Sequence, residues 1–176
     1  AGTLKVGHPS ALGSSAGALS ITAGAVFDLN GTNMTVTNPL TLNGTGSNAS
    51  GALINSSDSP ATYAGLITLG SNTSIIANHG AITISNTGTI TGDGKALTLD
   101  GSTGGTVASS LGTGAGRLTK LGNGTWTLTG DSTHTGGTII NSGTLQLGNA
   151  GTTGSLSGDV VNNASWIINR ANALTL

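Results

Sequence analysis

The chain has 176 residues, a net charge of −1, 6% charged and 2% aromatic side chains, and neither cysteine nor glutamate. Five scattered cations (Lys5, Lys95, Lys120, Arg117 and Arg170) exclude a basic patch for a phosphate backbone. The missing thiols exclude a disulfide framework and a thiolate metal centre. Gly, Thr, Ser and Asn make up more than half the chain. With so little charge and only three prolines, this is still not a solvated linker.

Taken in order, the chain is built from short alternating segments, each placing two apolar side chains on one face. Residues 3–6 alternate and stop at Gly7. Leu19 and Ile21, Phe27 and Leu29, Met34 and Val36, and Leu40 and Leu42 repeat the pattern. Residues 44–63, with Asn48, Ser50, Asp58 and Pro60 around Leu53 and Ile54, are the least regular part and have the composition of a loop. Substitutions at Asn48, Ser56 or Ser57 are expected to be tolerated there. The rhythm resumes over 66–69, at Ile75 and Ile76, Ile82 and Ile84, Ile90, and Leu97 and Leu99. Residues 101–116 form a second glycine- and serine-rich gap, broken by Val107 and Leu111, and lead into the most regular stretch, 114–148. No segment has the period or capping signals of a helix.

An internal repeat adds to this. Gly2, Thr3, Leu4, Gly7, Gly13, Ser14 and Gly17 recur 141 residues later as Gly143, Thr144, Leu145, Gly148, Gly154, Ser155 and Gly158. Residues 2–17 and 143–158 are thus matching starts of a long repeat, as in a stacked, quasi-one-dimensional protein. The whole of 1–176 is expected to be one β-helical segment of something longer. No run approaches the length of a membrane helix, and no basic-then-apolar leader opens the chain.

Two architectures use strands this short. A parallel β-helix of about 20 residues per coil stacks coils about 4.8 Å apart around a narrow column of small aliphatics. An antiparallel β-sandwich is the alternative, suggested by the hairpin-type pairs Asn30 and Gly31, Asn43 and Gly44, and Asp100 and Gly101.

Chemistry-bearing residues are sparse. His8, His79 and His134 are far apart and are expected as exposed loop or turn residues rather than ligands or acid–base groups. Asp93 and Asp100 fall in glycine turns, where general acid–base work would need a close, tuned pair. Gly112, Gly114 and Gly116 are expected as a structural turn, not a phosphate loop, since no helix follows. Trp126 and Trp166 sit among aliphatics, as core residues would. The paired threonines Thr35 and Thr37, Thr89 and Thr91, and Thr125 and Thr127 are too scattered to form aligned rungs. No catalytic, cofactor-binding or metal residue is assigned, and no cofactor is expected.

Residues 114–148 resemble the passenger-associated transport repeat, also called the autotransporter-associated β-strand repeat. Its form is a glycine-rich lead, L-T-K-x-G-x-G-T-x-x-L-T-G, then T-x-T-G-G-T and a G-T-L-x-L-G close. Gly116, Leu118, Thr119, Lys120, Gly122, Gly124, Thr125, Leu128, Thr129 and Gly130 match the first part. Thr133, Thr135, Gly136, Gly137, Thr138, Gly143, Thr144, Leu145 and Gly148 match the rest. Trp126 stands where a leucine is usual and His134 where an aromatic is common. Residues 162–166 and 169–175 resemble the coil that follows the repeat.

The resemblance implies a right-handed parallel β-helix in the exported passenger of a bacterial autotransporter, a type V secretion system. The implied role is a structural and adhesive module: a stiff stalk that aids export and folding at the cell surface or outside the cell. Self-association into extracellular fibres or cell–cell contacts is the alternative, and binding to a polysaccharide or ice surface is less favoured. The implied partners are flanking coils of the same protein, with host surfaces, polysaccharide or further copies as candidates. Neither nucleic acid nor membrane insertion by this segment is expected.

Overall fold

A computed structural model describes residues 1–174. Thr175, which closes the region resembling the following coil, lies outside them. The chain winds through about eight coils of about 21 residues. Coil one holds β1 (Thr3–Lys5) and β2 (Leu19–Ile21), and coil two holds β3 (Val26–Asp28) and β4 (Leu40–Gly44). Coil three has β5 (Leu53–Ile54) and β6 (Ala61–Tyr63), then enters the ten-residue β7 (Ile67–Ile76), which turns the corner into coil four. Coil four continues with β8 (Ile82–Ile84) and β9 (Thr89–Thr91), and coil five has β10 (Leu97–Asp100), β11 (Gly104–Val107) and β12 (Ser110–Gly112). Then come β13 (Leu118–Lys120) and β14 (Thr125–Leu128), β15 (Thr138–Ile140) and β16 (Thr144–Gly151), and β17 (Val160–Asn162) and β18 (Ser165–Arg170).

Three faces result. The first stacks β1, β3, β5, β7, β10, β13, β15 and β17 in that order, and the second stacks β6, β8, β11, β14, β16 and β18. The third stacks β2, β4, β7, β9 and β12, joined to the first through β7. Every strand pairing among the described residues is parallel, which overturns the sandwich alternative. Strands pair with the coil before and the coil after, not with their chain neighbours. The Asn-Gly and Asp-Gly pairs therefore turn corners between faces instead of closing hairpins; Asn30, Gly31, Gly44 and Gly101 supply the positive φ those corners need.

The alternation works as the pattern predicts. On the first face Leu4, Phe27, Leu53, Ile75, Leu99, Lys120, Ile140 and Asn162 form one inward ladder. On the second, Tyr63, Ile84, Val107, Leu128, Leu147 and Ile168 form another. β-branched Thr takes the outward positions, where it favours the pleated surface. A single coil cannot bury its apolar face, so each fully buried Leu or Ile, worth about 1.5–3 kcal/mol, depends on the coils above and below. Near one end Phe27 and Tyr63 meet edge to face, ring centroids 5.9 Å apart.

Several expectations need correction. Residues 44–63 are not all loop: they contain β5 and β6, plus a short 3-10 turn over Ser47–Ala49. The second gap, 101–116, carries β11 and β12, hidden in the sequence because two inward or cornering positions are glycine. Met34 and Val36 are not in a strand, and only Asn33 bridges, to Thr62. Asp28 is buried, accepting from the backbone N–H of Asn30 and from the backbone N–H and Oγ of Ser56, so Ser56 is not the free loop residue expected.

Candidate functional site

The stretch 114–148 fills coil six and most of coil seven. Gly116 packs against Lys95 O before β13, where Leu118 and Lys120 point inward and Thr119 outward. Gly122 and Gly124 turn the corner into β14, where Trp126 and Leu128 are buried and Thr125 is exposed. Gly130 lies over the backbone of Ser109 and Ser110. Thr135 Oγ1 donates to Gly114 O, Gly136 packs on Ala115 O, and Gly137 leads into β15, whose Thr138 is buried. Gly143 opens β16, Leu145 is fully buried, and Gly148 sits under the Arg170 side chain.

The chemical centre of this stretch is Lys120. It occupies an inward ladder position between Leu99 and Ile140, where every other coil from the second to the seventh has an apolar residue. The side chain is fully buried, and its Nζ donates to the carbonyls of Leu121 (2.5 Å), Gly122 (2.8 Å) and Ser142 (3.1 Å). Burial holds its pKa below the ordinary lysine value, partly offset by the nearby Asp100 charge. The carbonyls it gathers lie on a stacked corner. A Cβ on Gly143 would stand 2.3 Å from Gly122 O, one on Gly122 2.5 Å from Gly101 O, and one on Gly101 2.1 Å from Ala77 O. All three glycines have positive φ, so the motif's corner needs glycine for both conformation and space. Lys120 thus ties the crowded turns of coils six and seven by their otherwise unpaired carbonyls.

Trp126 closes the same corner from the second face, its Nε1 donating to Asp100 O at 3.1 Å. His134 corrects the exposed-turn expectation. It is fully buried, its Nε2 3.2 Å from Thr138 Oγ1, and Nδ1 has no hydrogen-bond partner among the described residues. Burial pushes its pKa down, the nearby Gly137 backbone offsetting part of the effect. The turn T-H-T-G-G carries no alternation that would mark the site as inward.

The remaining candidates do not assemble. His8 is exposed, its Nδ1 accepting from Ser10 N. His79 pairs with Asp58 at 3.2 Å with both side chains mostly in solvent. Asp93 is in a turn, whereas Asp100 ends a strand, and the two lie at opposite ends of β10. Trp166 is half-buried in the last described coil, packed against the core. Among the described residues no three His, Asp or Glu side chains converge to hold a metal. Sequence reasoning missed Arg170. Its guanidinium donates to Gly154 O and Thr152 O and lies 3.6 Å from Asp131, pinning the excursion after β16.

Residues 118–147 match the passenger-associated transport repeat family. Among curated proteins, the adhesin BmaC autotransporter of Brucella suis biovar 1 (strain 1330) is 39% identical over 150 residues, 74% of this chain. The chain spans 4% of that protein's length. No solved structure matches. The matched stretch and the similarity to an autotransporter adhesin identify residues 118–147 as a passenger-associated transport repeat, set in a solenoid of parallel coils.

Proposed function

We propose that this chain is a stiff structural and adhesive module of a surface-exposed autotransporter passenger, and that its transport repeat aids export. The observation that supports this is the nearest-neighbour pairing: each coil finds its strand partners only in the coils on either side. A chain emerging in extended form can add coils one at a time to such a template, and each added coil opposes backward movement. The Lys120 corner favours the transport repeat as the firm step in that sequence, because it ties two consecutive coils by one side chain. The module works at the cell surface or outside the cell, with further coils of the same protein stacked on its ends.

The test is Leu128→Asp in a full-length parent, with surface display as the readout. An inward carboxylate in this ladder would be buried without a partner. Display should fall, while Thr119→Asp on the outward side should display normally. Unchanged display and folding of Leu128→Asp would refute the export role.

Self-association is the second reading, favoured by the outward rank of Thr62, Thr83, Thr106 and Thr127, a regular hydroxyl-lined face on which copies could pack side by side. Light scattering decides it: a monodisperse monomer at high concentration excludes this reading.

A further inference from the structure

The corner between the second and third faces carries a groove that the passenger-module reading does not use. It runs along the solenoid axis from coil four to coil seven, encloses about 330 Å³, and is lined by Thr87, Ser110, Thr129, Asp131 and Thr153 over a floor at Gly130. Each coil contributes one hydroxyl, from Thr87, Ser110, Thr129 and Thr153 in turn. The floor cannot be filled: a Cβ on Gly130 would stand 2.6 Å from the Ser109 and Ser110 backbone. Beside the groove, Thr62, Thr83, Thr106 and Thr127 stand in register on the outward side of the second face, spaced about 4.8 Å apart. The paired threonines fall on different parts of the coil, whereas this rank of one threonine per coil is aligned.

We infer that this groove binds a linear, neutral glycan laid along the solenoid axis. The groove offers one hydroxyl from each of four coils together with a comparable share of apolar surface, including Ala108, so it suits a ligand whose rings present hydroxyls and C–H faces side by side. A peptide is a poorer fit. Peptides gain from free strand edges or apolar side-chain pockets, and the second-face strands that lead into this corner, β8, β11, β14 and β16, already pair on both sides. The one lining charge, Asp131, is half-exposed and held by Gly154 N and Ser155 Oγ beside Arg170. Paired with Arg170 at 3.6 Å, this carboxylate still accepts from a sugar hydroxyl but leaves the groove no net charge to draw in a polyanion or a polycation, which suits a neutral ligand.

The test titrates the 176-residue chain with cellohexaose, maltohexaose and chitohexaose, and with hexagalacturonate as the anionic match, by ligand-observed NMR. At least one neutral hexamer should bind saturably, and hexagalacturonate should bind more weakly. Ser110→Ala with Thr129→Ala should weaken that binding about tenfold, as loss of two hydrogen bonds implies. Thr87→Ala with Thr153→Ala, both at exposed positions, should weaken it in the same direction if the first pair fails to fold. Thr98→Ala with Thr119→Ala on the first face should leave binding within about twofold. No saturable binding of any neutral hexamer, preference for hexagalacturonate, or equal loss from groove and first-face variants would each overturn the inference. None of these outcomes depends on the export role, which surface display tests separately.

Discussion

Gly105 lies in register against Trp126 on the second face, the smallest inward residue of that ladder beside one of its two tryptophans. The indole is fully buried, yet the neighbour that forbids a side chain at Gly105 is on the other side: an added Cβ would stand 1.9 Å from Ile82 O. Gly105→Ala should therefore destabilise the chain by about 3 kcal/mol or more, since backbone cannot move aside without shifting a coil. Combining it with Trp126→Leu should give no rescue. Chemical denaturation of the single and double variants checks this, and recovery of stability in the double variant would refute it.

Lys120→Met keeps the bulk of the side chain and removes the donor. Burying an ammonium has a cost, so the exchange relieves one penalty while leaving the carbonyls of Leu121, Gly122 and Ser142 short of a partner. Three carbonyls outweigh one relieved charge, and a loss of about 1–2 kcal/mol is expected. Because burial lowers the folded pKa, the unfolded chain holds the proton more firmly. Stability from this group therefore rises with pH up to the ordinary lysine value of 10.5. The methionine variant should lack that alkaline rise in its melting profile.

His134 should make the transport repeat acid-sensitive. Its folded pKa lies below the ordinary 6.5, so the unfolded state takes up a proton that the native state refuses. Its contribution is fully present above 6.5 and is lost as pH falls from there toward the folded pKa. His134→Leu should flatten the decline in melting midpoint between about pH 7 and about pH 5. A decline as steep in the leucine variant as in the parent would show that another group is responsible.

Ser56 is not the free loop residue its context suggests. Its N–H and its Oγ, at 3.0 and 2.6 Å, both reach the buried carboxylate of Asp28 one coil away. Ser56→Ala keeps the backbone bond and loses the hydroxyl, which should lower stability by about 1.5 kcal/mol, as for a hydrogen bond to a charged group. Asn48→Gly, which keeps the positive φ of that position at no steric cost, and Ser57→Thr should stay within about 0.5 kcal/mol. Thermal melts of the three variants separate these outcomes.

The inward and outward sides of β8, β10 and β14 were legible in the sequence, because period-two alternation is a local property of extended backbone. The same signal fails at Gly104 and Gly105, where the coil needs no side chain, and at Lys120 and His134, where a polar residue takes an inward place. Polarity reports what a side chain costs to bury, not whether neighbouring carbonyls repay that cost. The groove residues Thr87, Ser110, Thr129 and Thr153 come from four different coils and share no local motif.

The sequence alone determined the element type, the glycine corners and the transport-repeat motif, since each depends on residues close together along the chain. Tertiary structure decided which side chains stack. Successive partners on the first face are 20 to 26 residues apart, so small differences in corner length set the register. That register brings Gly105 against Trp126, Lys120 to the carbonyls of the next coil, and one threonine per coil into a straight rank. Alternation is encoded within a strand, whereas register is fixed only when whole coils close on one another.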